Sequence, residues 1–190
     1  DATTYEARLG WPAGAQWKQA GPHRFELRAA GQHRLELVIA FAPGPLTSSL
    51  PDFATVRAAA ARGWQEFWTT GGALDLSAST DPRSRELERR IVLSQYQTRV
   101  NSAGSLPPQE TGLVTNSWFG KFHLEMHWWH AAHFTLWGRE ALLERSLVFY
   151  DRILPVAREI AQREGYAGAR WPKMVGPDGR DSPGAINPFL

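Results

Sequence analysis

The amino-acid sequence predicts a mostly α-helical chain preceded by an antiparallel β segment. Three observations carry that expectation. From Thr3 to about Pro43 apolar residues alternate with polar ones, through Tyr5, Ala7 and Leu9, then Phe25 and Leu27, then Leu35, Leu37, Ile39 and Phe41. A period of two is that of a strand. Beyond Ser49 the apolar spacing lengthens to three and four, the period of a helix, and Gly- and Pro-rich breaks separate one segment from the next.

Composition narrows the partners. The 190 residues, 43% of them hydrophobic, have room for one domain or a domain and part of another. Basic and acidic residues number 21 and 19 and are interspersed, leaving a formal charge of +2, so no nucleic-acid partner is expected. No apolar run approaches the roughly 20 residues needed to span a bilayer, so no membrane partner is expected either. No signal peptide is read at Asp1, and both ends are expected to be cut rather than natural. The absence of cysteine excludes disulfides and thiolate metal sites. Nine tryptophans supply flat faces with a polar edge, which suit stacking on sugar rings as well as packing a core.

Taken in order, the alternating segment is punctuated by Trp11-Pro-Ala-Gly14, Gly21-Pro22 and Ala30-Gly31-Gln32, which predicts an antiparallel meander of three or four strands with one wet face. So small a sheet is near the lower limit of independent stability, and further strands are expected in sequence before Asp1. Pro43-Gly44-Pro45 to Ser49 reads as a linker. Asp52 then caps a first helix from Phe53 to Trp68, ended by Gly71-Gly72, with Phe53, Val56, Ala60, Trp64, Phe67 and Trp68 inward. A second helix runs from Pro82, after the cap Asp81, to Val100 and buries Ile91, Leu93, Tyr96 and Val100. Arg83 and Arg85 in its first turn oppose the macrodipole and call for a carboxylate partner. Asn101 to Ser117 is a polar loop carrying Gln109, Glu110, Thr111 and Asn116, and loops of this length are commonly functional. A third helix, Gly120 to Trp137, is apolar nearly all round, as if enclosed by others, and Gly138 ends it. A fourth, Glu140 to Glu164, bends at Pro155 with Leu142, Leu143, Leu147, Phe149, Ile153, Val156 and Ile160 inward.

The chemistry concentrates between Trp118 and His133, where four histidines, a lysine and a glutamate stand among aromatics. Packing alone would use Leu, Ile and Val, because a buried polar group left unsatisfied costs roughly 2–7 kcal/mol. At 100° per residue His123, His127 and His130 form one stripe, with Lys121 and Glu125 on the opposite side, where they can pair with each other or meet a ligand. The order His-x-Glu-x-His differs from the metalloprotease His-Glu-x-x-His, and a third imidazole would reach a shared ion only with strain, so no metal is expected. His127, His130 and His133 read as core histidines bonded to backbone or to neighbouring carboxylates. Lys121, His123 and Glu125, in the first turns, open onto the loop's Gln109, Glu110 and Asn116. Trp128 and Trp129 are expected in the core, and Trp118 at the loop mouth is the stacking candidate.

Several of these segments carry a family resemblance. Leu87-Glu-Arg-Arg90, Leu93-Ser-Gln-Tyr96, Ala103-Gly-Ser-Leu-Pro-Pro-Gln-Glu-Thr-Gly-Leu113, Trp118-Phe-Gly-Lys-Phe-His-Leu-Glu-Met-His-Trp-Trp-His130 and Gly165-Tyr-Ala-Gly-Ala-Arg-Trp-Pro172 resemble six-hairpin glycosidases. They are similar to bacterial maltose and kojibiose phosphorylases and, more distantly, to inverting α-L-fucosidases. The resemblance covers about Phe53 to Leu190, and the strands before it are similar to the end of the β-sandwich that precedes the barrel in those enzymes. It implies that residues 1–43 are the C-terminal strands of a β-sandwich and 44–80 a linker with its helix. Residues 81–190 would be the first part of an (α/α)6 barrel whose remainder lies outside this chain.

In that family the sugar is bound where inner-helix N-termini and their loops converge. The phosphorylase segment Trp-Asp-Thr-Glu falls on Phe122, His123, Leu124 and Glu125, so His123 replaces an aspartate and Glu125 is retained. The pattern Gly-x-x-Gly-Ala-x-x-Pro-Trp matches Gly165 to Pro172, with Lys173 in place of the tryptophan. The substrate-binding set implied is Gln109, Glu110, Trp118, Lys121, His123 and Glu125, with Arg170 and Lys173 able to hold an anionic sugar or phosphate. Inversion needs two carboxylates roughly 6.5–9.5 Å apart. The resemblance puts the general acid and base beyond Leu190, so no catalytic residue is assigned within the chain. The expected function is that of part of an inverting glycoside hydrolase acting on oligo- or polysaccharides, with a carbohydrate substrate as partner and no cofactor. A non-catalytic carbohydrate-binding protein and a glycoside phosphorylase are the alternatives, and the resemblance favours a periplasmic or extracellular location.

Overall fold

The computed structural model describes residues 4–29, 31, 33–113, 115 and 118–181. The chain is mostly helical with small antiparallel sheets at its N-terminus, and it divides into two compact units, Asp1–Phe67 and Trp68–Leu190.

In the first unit the strands form two separate ladders rather than one meander. Strand β1 (Glu6–Gly10) pairs antiparallel with β4 (Val38–Ala42), setting Leu9 opposite Ile39, while β2 (Ala15–Gly21) pairs with β3 (Arg24–Ala29). The β2–β3 hairpin is thus an excursion between the two strands of the other pair. Its turn is Pro22-His23, with Gly21 opposite Arg24 and His23 at φ 55°. Proline presets the first central position and the second takes the positive φ. Trp17 stacks between Trp11 and Phe25, at centroid distances of 5.5 and 5.0 Å. Leu35 and Leu37 fall before β4 rather than in it. The linker after Pro43 is held to β1: Glu6 accepts the Leu46 N–H at 3.1 Å, and the Arg8 guanidinium donates to the carbonyls of Leu46 and Ser48. Helix α1 (Phe53–Thr69) is capped as its sequence predicts, the Asp52 carboxylate accepting the Thr55 N–H at 2.7 Å. Val56 and Ala60, expected inward, are exposed, and the buried residue of α1 is Phe67.

In the second unit α2 (Ser84–Ser102) begins after Asp81, whose carboxylate clamps the Arg83 side chain at 2.8 and 3.0 Å and so supplies the partner that arginine needs. The buried side of α2 is polar. Gln95 and Ser102 are buried while Leu93, Tyr96 and Val100, expected inside, are exposed. The reason is Arg139, itself buried, which donates to Gln95 Oε1 at 3.0 Å and to the Gly72 carbonyl at 2.9 Å. A buried guanidinium requires such acceptors, and they fix which face of the helix turns inward.

The third predicted helix is interrupted. Trp118, Phe119 and Gly120 form a single 3-10 turn with positive φ at all three residues (48°, 60° and 67°). Phe122–His123 then forms a short strand, β5, and only at Leu124 does α3 (Leu124–Ala131) begin, followed by the short α4 (His133–Leu136) and the positive-φ Gly138. Strand β5 pairs antiparallel with β6 (Met174–Val175), and the Leu124 N–H donates to the Lys173 carbonyl at 2.8 Å. The expected fourth helix divides at Ile153 into α5 (Glu140–Arg152) and α6 (Leu154–Arg163), with Pro155 in the first turn of α6, where its missing N–H costs nothing. Leu124, Phe149, Ile153 and Val175 form the core of the unit, with Leu106, Phe122, Tyr150 and Trp171 packed against it. Leu147, expected inward, is exposed. Trp128 (67% exposed), Trp129 (73%) and Leu136 are exposed as well, because α3 buries Leu124, His127 and Ala131 and the two tryptophans lie off that face. No helix among the described residues is long and apolar enough to cross a membrane.

His127 joins α3 to α5. Ser146 donates its one O–H to the Leu143 carbonyl at 2.8 Å, so it accepts from His127 Nε2–H at 2.8 Å, and Nδ1 is left to accept the Tyr150 O–H at 3.0 Å. The ring also stacks on Tyr150 at 5.7 Å. All three groups are satisfied only while the imidazole is neutral. Burial, with a contribution from His130, pushes His127 down to about 4, and burial pushes Tyr150 up to about 12.

A Cβ added at Gly71 (φ 71°) would meet the Trp137 carbonyl oxygen at 2.5 Å, an obstacle of backbone that cannot rotate away. Gly71→Ala is expected to lower unfolding stability by about 1–3 kcal/mol in denaturant titration. For His127, the folded pKa lies below the ordinary value of 6.5, so between pH 6.5 and about 4 the unfolded chain binds the proton that the folded chain does not. Its stabilisation is therefore complete above that window and drains as pH falls through it. Calorimetry between pH 7 and 5 should show Tm falling with pH and a flatter dependence in His127→Gln. His127→Leu at pH 7 should cost roughly 1–3 kcal/mol by leaving a buried hydroxyl unpaired.

Candidate functional site

The β5–β6 pairing brings three distant pieces of chain to the N-terminal end of α3. One is the loop 106–110: the His123 N–H donates to the Pro108 carbonyl at 3.2 Å, and Gln109 bridges to Phe122. The second is β5 and the first turn of α3. The third is Lys173, immediately before β6, whose Nζ lies 2.7 Å from Glu125 Oε2. Glu125 is thus paired with Lys173 and not with Lys121. With the helix starting at Leu124, Lys121 is outside it, and the helical spacing that would bring the two together does not exist. The Lys121 ammonium is directed toward Gly176 instead, 3.5 Å from where a Cβ on that residue would sit.

His123 is the centre of this group. The residue is 1% exposed, and neither ring nitrogen has a hydrogen-bond partner among the described residues. The nearest charge is Glu110, with Oε2 3.7 Å from Nδ1, and the Trp118 ring lies 6.1 Å away edge-on. Burial lowers the His123 pKa. Glu110 acts against that, Lys173 reinforces it, and smaller contributions come from Glu125 (upward) and His130 (downward). An imidazole so enclosed and so close to a carboxylate, with neither ring nitrogen hydrogen-bonded among the described residues, is an exception to the pairing of buried polar groups. Trp118 is half exposed at the mouth of the loop. The consecutive positive-φ residues Trp118 and Phe119 cost of order 1–3 kcal/mol each, and such conformations gather at ligand clamps.

The other predicted residues divide. Gln109 is part of the loop's own scaffold, its amide donating to the Gly112 and Thr115 carbonyls. Arg170 is engaged at the end of α6 by Glu164 and lies 5.1 Å from the centre of the Tyr166 ring. Asn116 lies outside the described residues. His127 faces α5, as a core histidine should, although its partners are hydroxyls and not carboxylates. His130, its pKa lowered by burial, turns a ring N–H toward the Glu110 backbone carbonyl. His123, His127 and His130 therefore serve three different surroundings, and among the described residues no group of three or more His, Asp or Glu converges as a metal site. Residues that sequence reasoning missed are Gln97 and Thr98 on α2 and Trp129 on α3, which line a cleft beside Glu110. Their signal was weak, since a tryptophan on an apolar helix reads as core.

No protein-family model matches the chain, and no curated protein and no solved structure matches it either.

The electrostatics of the site can be read directly. Removing the charge of Glu110 in Glu110→Gln is expected to lower the His123 pKa further, and Lys173→Met is expected to raise it, in an NMR titration of the His123 ring. Titrations unchanged in both variants would show that these charges do not act on the imidazole.

Proposed function

We propose that this chain binds carbohydrate at the N-terminal end of α3, as part of an inverting glycoside hydrolase of the (α/α)6-barrel kind. The general acid and base are left to residues outside Asp1–Leu190, as the family resemblance implies. The single observation that carries the reading is His123: buried, lacking a hydrogen-bond partner among the described residues, 3.7 Å from the carboxylate of Glu110 and within the electrostatic reach of Lys173 and Glu125. A sugar presents hydroxyls that both donate and accept. An imidazole, two carboxylates and an ammonium near the start of α3 offer acceptors and donors in the mixture that such a ligand requires. Trp118, half exposed beside them, adds a flat apolar face for the C–H side of a ring.

A purely binding role is the second reading. Glu125, paired with Lys173 at 2.7 Å, is placed to position a hydroxyl, a role that this reading and the hydrolase share.

On an array of mono-, di- and trisaccharides built from glucose, galactose, mannose and fucose, the wild-type chain should be retained on a defined subset. His123→Ala and Glu125→Gln should weaken retention by about tenfold to a hundredfold, the worth of a hydrogen bond to a charged or buried group. Retention equal to wild type in both variants would refute the site. This chain alone is expected to release nothing; in a longer protein that joins it to the rest of the barrel, reducing sugar released from the retained glycan separates the hydrolase from the binding protein, and release that requires inorganic phosphate marks a phosphorylase.

A further inference from the structure

We infer that the cleft between the C-terminal end of α2 and the outer face of α3 is a second sugar subsite, with Trp129 as its stacking platform, so that the ligand is an oligosaccharide spanning two positions. The inference rests on the carbohydrate-binding reading of the His123 site and extends it by named residues that the first site does not use.

The cleft has a volume of about 270 Å³ and is lined by Gln97, Thr98, Asn101, Glu110, Trp129 and His130 among others. That is slightly below the roughly 300 Å³ at which pockets for drug-sized ligands begin, a size suited to one ring rather than several. Its loop wall is stiff. Asn101 donates to the Gln97 carbonyl and accepts the Leu113 N–H, both at 2.8 Å, and Gly112 (φ 62°) presses so close that a Cβ there would meet Asn101 Oδ1 at 2.5 Å. A preformed wall spares the ligand the cost of ordering it.

What faces the cleft is chemically specific. Trp129 is 73% exposed and lines it. The Gln97 amide makes no hydrogen bond among the described residues, and the Glu110 carboxylate has none shorter than its 3.7 Å approach to His123. His130 Nδ1 is buried without a hydrogen-bond partner among the described residues. A flat apolar face ringed by an amide and a carboxylate fits the C–H side of a pyranose, with its hydroxyls donating to Glu110 and exchanging bonds with Gln97. An anion does not fit, because Glu110 would repel it and no lysine or arginine is among the described residues that line the cleft. An organic cation would seek a cage of several aromatic rings, and here one faces it. An apolar ligand would strip water from the carboxylate without replacing its bonds.

Glu110 joins the two positions. Its carboxylate approaches His123, while the residue itself also lines the cleft. In the proposed binding mode a sugar at His123 and its neighbour over Trp129 share Glu110.

The test is the same array, read for chain length. Wild type should hold disaccharides about tenfold more tightly than the corresponding monosaccharides, the scale of one aromatic stacking contact. Trp129→Ala and Gln97→Ala should each abolish most of that gain and leave monosaccharide retention and Tm as in wild type, whereas His123→Ala should weaken both lengths together. If length brings no gain, or both cleft variants keep it, the second subsite is refuted while His123 sensitivity leaves the first standing. If no glycan is retained by wild type, the carbohydrate reading itself falls, and this inference with it.

Discussion

The antiparallel pairing of Phe122–His123 with Met174–Val175 is the constraint on which the second unit depends. It is only two residues long on each side, yet it fixes three things at once. It ends the left-handed turn at Trp118–Gly120 and sets the first residue of α3, since the Leu124 N–H is taken by Lys173. It buries Val175 against Leu124, Phe149 and Ile153. It also carries Lys173 to Glu125 and holds His123 against the loop that bears Glu110. A short ladder is weak in isolation, and this one persists because both of its faces are used, one by the core and one by the polar group.

The histidines illustrate how one residue type takes different parts according to its neighbours. His127 has both ring nitrogens committed to hydroxyls whose own protons are committed in turn, and it stabilises the α3–α5 contact as a neutral group. His123 is as deeply buried and has neither nitrogen committed. Burial lowers the pKa of both, so protonation behaviour does not separate them. The accounting of hydrogen bonds does.

Arg139 plays the corresponding structural part for α2. By requiring Gln95 and the Gly72 carbonyl as acceptors it turns a polar strip of the helix inward and leaves Leu93, Tyr96 and Val100 outside. The same rotation presents Gln97 and Thr98 to the cleft that Trp129 lines. A choice made by one buried cation is thereby connected to the shape of the surface within the next turn of the helix.

Much of the fold was legible in the sequence. The period-two segment became strands, Asp52 capped α1, Gly138 ended the region of α3 and α4, and Pro155 marked the break between α5 and α6, because caps, proline and glycine act through bonds within a few residues of themselves. The residues at the α3 site were legible too, as polar groups that packing alone would not choose. What the sequence could not give was the start of α3, the partner of Glu125 or the exposure of Trp129. A periodicity of 100° per residue presumes a helix, and residues 118–123 leave the helical region because a strand some fifty positions later claims their backbone. Lys173, not Lys121, reaches Glu125 for the same reason. Local chemistry settled which elements exist. The tertiary structure decided where one of them begins, and with it which side chains meet, since that depended on a hydrogen-bonded contact between segments far apart in the chain.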